Sequence, residues 1–208
     1  MAVRMSIEVE LDGLARRLAP QGANARAVMV VPVSANAGAS TITAGLARAS
    51  VQRGVKPVWL YDLDFRNNPQ SDAFRLNGKA YSGALSGRRF WRTTPDNAGR
   101  VALRRVEDQP IYVSRFEREP GQVRSLTFLD TPDYWMQARR SAGLTLVDAS
   151  YNSAAIPLVA PNMDGVILVA NARTDGRERC EAEAARLREQ GAQVWGVVVN
   201  RARTAPTA

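Results

Sequence analysis

Histidine is absent from this chain of 208 residues. That removes imidazole metal ligands, imidazole general bases and any triad built on them. A single cysteine, Cys180, excludes an internal disulfide and a thiolate metal cluster, and at a helical position it reads as a small packing residue. Lysine is almost missing too. Only Lys56 and Lys79 occur, so the formal charge of +8, from 28 basic and 20 acidic residues, is carried by arginine. Such a balance suits acidic partners (nucleotide phosphates, nucleic acid, an anionic inner leaflet) and equally suits a surface of solvated arginines. No run of 18 apolar residues stands in the sequence, nor a basic start followed by a short apolar stretch, so a cytoplasmic location is expected.

What is present suffices for one globular domain, since 45% of the residues are hydrophobic. The expected organisation is an N-terminal helix and linker over residues 1–26, an α/β domain over 27–203 and a disordered tail over 204–208. In the first segment Ile7, Leu11, Leu14 and Leu18 recur at helical spacing and make one apolar face. That face predicts a helix packed on the domain or on a partner, ended by Pro20-Gln-Gly-Ala-Asn.

The domain is organised around Val28 to Thr41, V-M-V-V-P-V-S-A-N-A-G-A-S-T. A β-branched run without charge predicts a buried parallel strand, and the small-residue turn after it opens an amphipathic helix. Strand, loop and helix in this order form a phosphate-binding loop, in which backbone N–H groups hold phosphates, a lysine reaches the terminal ones and a Ser or Thr takes Mg2+. Gly38, Ser40 and Thr41 are kept. The lysine position is Ala39.

Further strands are predicted at Pro57-Val-Trp-Leu-Tyr61, Pro110–Ser114, Leu144–Asp148, Gly165–Ala170 and Trp195–Val199. Helices are predicted from Ala44 to Gly54, over 131–142 with Thr131 as cap, at Ala154–Val159, and over Thr174–Gln190 with Gly191 as its end. This alternation predicts a parallel sheet wound by helices on both faces. Asp62 and Asp64 come directly after the second strand, at the carboxyl end where ligands bind in open α/β sheets. The alternative is a strand-ending turn in which Asp64 caps the next few residues. Residues 70–125 carry Arg88, Arg89, Arg92, Arg100, Arg104 and Arg105 around Phe90 and Trp91, and read as an insertion of loops and short helices with a basic surface. Stacking of single-stranded nucleic acid there is the weaker alternative.

The phosphate loop, V-W-L-Y-D-L-D-F-R with a proline soon after, L-T-L-V-D, D-G-V-I-L-V-A and G-V-V-V-N-R resemble, in order and spacing, the bacterial tyrosine kinases and chain-length ATPases of exopolysaccharide export. These are relatives of the partition and division-site ATPases with a deviant phosphate loop. The resemblance covers roughly residues 26–203 and implies a single P-loop NTPase-like α/β domain with ATP or ADP and Mg2+ as ligands. Gly83-Ala-Leu-Ser-Gly87 resembles that family's short helix after the second strand. By the same resemblance, Gly38, Ala39, Ser40, Thr41 and Asn200 would meet the nucleotide, Asn200 at the base. Ser40, Asp62 and Asp148 would hold Mg2+, and Asp62 and Asp64 would act in catalysis if any occurs.

The departures from the family pattern point the other way. Ala35-Asn-Ala-Gly-Ala39 stands where the family has Pro-Gly-Glu-Gly-Lys, and Ser34 falls on the second signature lysine of the partition type. The tail lacks the tyrosine cluster on which such kinases act. Asn36 tolerates the left-handed backbone the loop needs. The expectation is therefore a catalytically impaired relative with weakened nucleotide binding. It would serve as a regulatory or assembly partner in exopolysaccharide biosynthesis of the capsule or holdfast kind, brought to the inner membrane by a chain-length or export protein and able to self-associate. Two rivals stand beside it: an active ATPase of the partition class touching DNA or membrane, and a structural α/β module whose acids do not converge.

Overall fold

The computed structural model describes residues 2–19, 25–118 and 121–201, residues 2–9 by their backbone alone. The break expected at residues 20–24 and the tail 204–208 lie outside the described residues.

Among the described residues ten strands and six α-helices succeed one another: α1 (Ala2–Leu18), β1 (Arg26–Pro32), α2 (Ala39–Gln52), β2 (Val58–Asp62), α3 (Pro69–Ala73), β3 (Leu76–Ser82), β4 (Trp91–Thr94), β5 (Gly99–Val106), β6 (Ile111–Arg118), β7 (Ser125–Phe128), α4 (Pro132–Ser141), β8 (Leu144–Asp148), α5 (Ile156–Val159), β9 (Gly165–Asn171), α6 (Arg177–Glu189) and β10 (Val194–Asn200). Eight strands form one sheet in the order β10-β9-β1-β8-β2-β6-β5-β3, and β4 pairs separately with β7. From β10 to β6 every pairing is parallel, and β5 and β3 extend the sheet antiparallel. The architecture is the expected mostly parallel α/β domain, and the antiparallel β5 and β3 make its sheet mixed.

Charge-free β-branched runs become the central strands because both of their faces are covered. β8 and β9 are buried at every position, and β1 at all but its first. One face packs Val28, Val30, Leu60, Val113 and Leu146 against Ile42, Leu46 and Ala47 of α2. The other packs Met29, Tyr61, Val147 and Leu168 against Trp135 of α4, Ile156 of α5 and Leu187 of α6. Helix α1 extends the first layer: Leu11, Leu14 and Leu18 pack with α2, and the Cδ1 of Leu11 lies so near Gly45 that a Cβ there would come within 2.6 Å. Arg53 at the end of α2 pairs with Asp12 of α1.

Two predicted helix ends hold. Gly54 (φ +84°) and Gly191 (φ +87°) turn the chain out of α2 and α6 in the left-handed conformation that glycine adopts without penalty. Other expectations need correction. Residues 70–125 are mainly strand, not loops and short helices. Val101 and Leu103 on β5 and Phe116 on β6 join one core layer, and Arg100, Arg104, Arg105 and Arg115 around them hide the strands in the sequence. Gly83–Gly87 is a tight turn closed by Leu85 and Arg88, not a helix. Thr131 precedes α4, yet its hydroxyl is turned back toward Leu129 O at 3.5 Å instead of capping the helix. Helix α6 starts at Arg177 rather than Thr174, because the Asp175 carboxylate accepts the Asn171 N–H and holds residues 172–175 in a turn.

Candidate nucleotide and metal site

The carboxyl ends of β1, β2 and β8 converge. In register, Asp148 lies beside Val30 on one side and Asp62 on the other. The loop after β1 climbs over this end and enters α2 through Gly38, whose φ of +94° is left-handed. A Cβ on Gly38 would stand 2.2 Å from Asn200 Nδ2, so the position requires glycine for its backbone and for its space. Asn36 is left-handed as well, at φ 62°. The carboxamide of Asn200, at the end of β10, donates to Ala37 O at 2.9 Å and so ties the far strand to the loop.

Beneath the loop sit two buried acids. Asp62 is 1% exposed and Asp148 2% exposed. The carboxylate of Asp62 accepts the backbone N–H groups of Asp64 (2.9 Å) and Gln70 (2.8 Å). Burial pushes its pKa up to about 8, against the pull of those two donors and with the charge of Asp148 adding to the rise. Asp148 is also pushed up by burial, to about 6, with hydrogen bonds from Gln70, Ser40 and Thr43 working in the opposite direction. Thr43, one turn into α2, donates to Ala39 O at 2.9 Å and lies 3.4 Å from Asp148 Oδ1.

Gln70 is a site residue to which the sequence gives no pointer. Fully buried in α3, its carboxamide Nε2 donates to Asp148 Oδ2 (2.8 Å) and to Ser40 O (2.9 Å). Its Oε1 is buried without a hydrogen-bond partner. Two buried carboxyls with raised pKa, a serine hydroxyl at the edge and an orphaned amide oxygen form a set of hard oxygen donors. Such a set suits Mg2+, which takes one or two carboxylates and completes its shell with water and phosphate oxygens. Among the described residues no group of three or more acidic, cysteine or histidine side chains is gathered. The remaining ligands of such a metal would therefore come from water and nucleotide.

The structure separates the sequence-predicted residues. Gly38, Ala39, Ser40, Asp62 and Asp148 are brought together, and Asn200 reaches the loop from the side. Thr41 is exposed in the first turn of α2. The Asp64 carboxylate is engaged in a turn, accepting Arg66 N–H (3.2 Å), Asn67 N–H (3.1 Å) and Asn67 Nδ2 (2.9 Å), while its charge adds to the rise in pKa of both Asp62 and Asp148. Ala39 is buried among Val30, Ile42 and Ala44. Neither lysine approaches it. Lys56 precedes the amino end of β2, opposite the loop, and Lys79 lies on β3 at the far edge of the sheet. Ser34, at the second signature position, donates instead to Asp175 Oδ2 at 2.8 Å.

No protein-family model matches the chain, and no curated protein matches it at a significant level. Solved structures do. The kinase domain of Escherichia coli tyrosine kinase ETK superposes with a TM-score of 0.60 at 14% identity, over 90% of this chain and 72% of that one. The VpsO kinase domain gives 0.61 at 15%, over 96% of each chain. The septum site-determining protein MinD from Pyrococcus horikoshii, complexed with Mg-ADP, gives 0.62 at 16%, over 87% of this chain and 72% of that one. The fold is P-loop NTPase-like. At such identities the likeness is one of fold, shared by bacterial tyrosine kinase domains and MinD ATPases alike.

Proposed function

We propose that the protein is a catalytically impaired P-loop protein of the tyrosine-kinase-like kind. It would act as a regulatory or assembly partner in exopolysaccharide biosynthesis and export, on the cytoplasmic face of an inner-membrane chain-length or export protein. The observation that carries this reading is the pairing of a kept acid centre, Asp62 and Asp148 under Ser40, with a buried Ala39 where the family's phosphate-facing lysine would stand. Neither lysine of the chain is placed to replace it.

In this reading Ser40, Asp62 and Asp148 hold Mg2+, and the backbone of Gly38, Ala39 and Thr41 faces the phosphates at the start of α2. Bound Mg2+ would supply charge to neutralise those phosphates. A lost charge-assisted hydrogen bond removes about 1.5–3 kcal/mol, or roughly 10- to 150-fold in affinity. Phosphoryl transfer suffers more, because it depends almost wholly on positioning and charge neutralisation, and a missing cation costs on the order of a thousandfold in rate. Binding thus survives better than turnover.

The test is calorimetric titration of ATP and ADP with Mg2+ into the wild type and Ala39→Lys, beside an ATPase and autokinase assay. Weak wild-type binding, tightened by the lysine and lost in Asp148→Ala, is expected. Ordinary turnover by the wild type, abolished by Asp62→Ala, would overturn the reading. The likeness to MinD favours one rival, a working ATPase of the partition class that touches DNA or membrane. Its mark would be ATP turnover stimulated by DNA or anionic vesicles, with steep salt dependence of DNA binding.

A further inference from the structure

β10 ends the sheet, and among the described residues nothing pairs with its outer edge. The strand carries no charge from Val194 to Asn200. Six large hydrophobic side chains are exposed among the described residues, and three of them lie on this one strand: Trp195 (42%), Val197 (42%) and Val199 (37%). Val197 and Val199 line a groove of about 490 Å³ whose other wall is α6, with Cys180, Glu181 and Ala184. Val198 points to the opposite face and packs with the core under α2.

The other edge of the sheet is protected. β3 carries the exposed Lys79 and a break in register between Asn77 and Ala80, both devices that block strand addition. In β10 the register shifts only at its start, between Val194 and Gly196, where Trp195 lies over Gly165 and the Arg26 guanidinium stands 5.5 Å from its ring. From Gly196 to Asn200 the strand is regular. A regular, uncharged, apolar edge beside a groove floored by Cys180 and Ala184, with Asp175, Arg177, Glu181 and Arg188 balancing in charge around it, is a surface for adding a strand.

We propose that this edge pairs with the β10 of a second copy of the chain, antiparallel about a two-fold axis at Val198. Three features favour a second copy over a foreign strand. The segment Val197-Val198-Val199 is symmetric about its centre, so Val197 of each copy meets Val199 of the other, and all four valines fill the space between the two α6 helices. No charge on either strand opposes the pairing. The same register sets the exposed Arg201 of each copy against Trp195 of the other, a favourable cation–aromatic match at both ends. A two-fold contact also uses up both edges, so the assembly closes at two copies.

The experiment is sedimentation velocity from low- to high-micromolar concentration, with circular dichroism as the check on folding. The wild type is expected to double in mass, with a blue shift of tryptophan emission as Trp195 is covered. Val197→Lys and Val199→Glu should each remain folded and monomeric. The double variant should dimerise again, because the antiparallel register sets each introduced ammonium against an introduced carboxylate. Tyr81→Lys, on the opposite edge, should leave the dimer intact. A wild type that stays monomeric throughout, as it would if the edge serves another protein's strand, overturns the proposal. So do single variants that still dimerise, or a folded double variant that does not.

Discussion

The carboxamide of Gln70 donates to the Asp148 carboxylate at 2.8 Å, while the backbone N–H of the same residue donates to Asp62, also at 2.8 Å. One residue of a five-residue helix thus holds both acids of the candidate metal site, and its Nε2 bonds also to Ser40 O in α2. Replacing it by leucine keeps the bulk and the backbone bond and removes the donor from a buried carboxyl. Asp148 would keep Ser40 and Thr43 but lose this donor on its Oδ2, which should cost about 1–3 kcal/mol. The midpoint of urea denaturation should fall accordingly, with Tm lower by about 2–4 °C per kcal/mol. An unchanged midpoint would mean that water replaces the amide.

Stability without ligand should depend on pH in an unusual sense. Asp62 and Asp148 have pKa values raised by burial to about 8 and about 6, so the folded chain holds protons that the unfolded chain has released. Their contribution is fully present below about pH 4. It is lost as pH rises through about 6 for Asp148 and about 8 for Asp62, with a slope limited to about 1.4 kcal/mol per pH unit for each proton. Denaturation midpoints at pH 5, 7 and 8.5 should therefore decline. Asp62→Asn should flatten the step between pH 7 and 8.5 whatever it does to stability at pH 5.

Gly38→Ala should damage the loop twice over. The left-handed backbone costs a non-glycine residue roughly 1–2 kcal/mol, and the new methyl would strike the Asn200 amide. Combining it with Asn200→Ala should recover the steric part and leave the backbone part. A double-mutant cycle on chemical denaturation measures this, and strict additivity would show that the two residues do not meet.

Helix α1 should behave as part of the core. Leu18 is 2% exposed against the α2 layer, and Leu18→Ala should cost about 2–5 kcal/mol. Breaking the exposed pair of Arg53 and Asp12 by Asp12→Asn should leave the thermal midpoint nearly unchanged, because solvent screens it. If the leucine change also proves silent in thermal denaturation, the helix is held elsewhere, as on a partner.

Much of this architecture was legible because the central strands are charge-free β-branched runs that stop at an acid. Val58–Asp62 and Leu144–Asp148 each end on the carboxyl side of a strand, so the meeting of Asp62 with Asp148 results from their being neighbours in a parallel sheet. Gln70 left no such trace: a glutamine after a proline reads as turn chemistry, and its role arises only where the contact of α3 with α2 sets its amide between Ser40 O and Asp148. Asp64 was ambiguous for the opposite reason, since a second acid near a strand end has the same pattern whether it serves a ligand or a turn, and in the fold its carboxylate accepts the Arg66 and Asn67 N–H groups. Strand β5 stayed hidden because Arg100, Arg104 and Arg105 interrupt its apolar residues, and β3 because Asn77-Gly78-Lys79 breaks any alternation within Leu76–Ser82.

The order of the sheet has a consequence for how the molecule comes into being. β1 hydrogen-bonds to β8 and β9, both more than a hundred residues later in the chain, and to no strand made before them. At ordinary rates of synthesis the phosphate loop leaves the ribosome on the order of ten seconds before the strand that carries Asp148. Until then its apolar strand has no bed to lie in. Such long-range parallel pairing is intrinsically slow. The loop of the candidate site is thus made well before the strands against which it must be assembled.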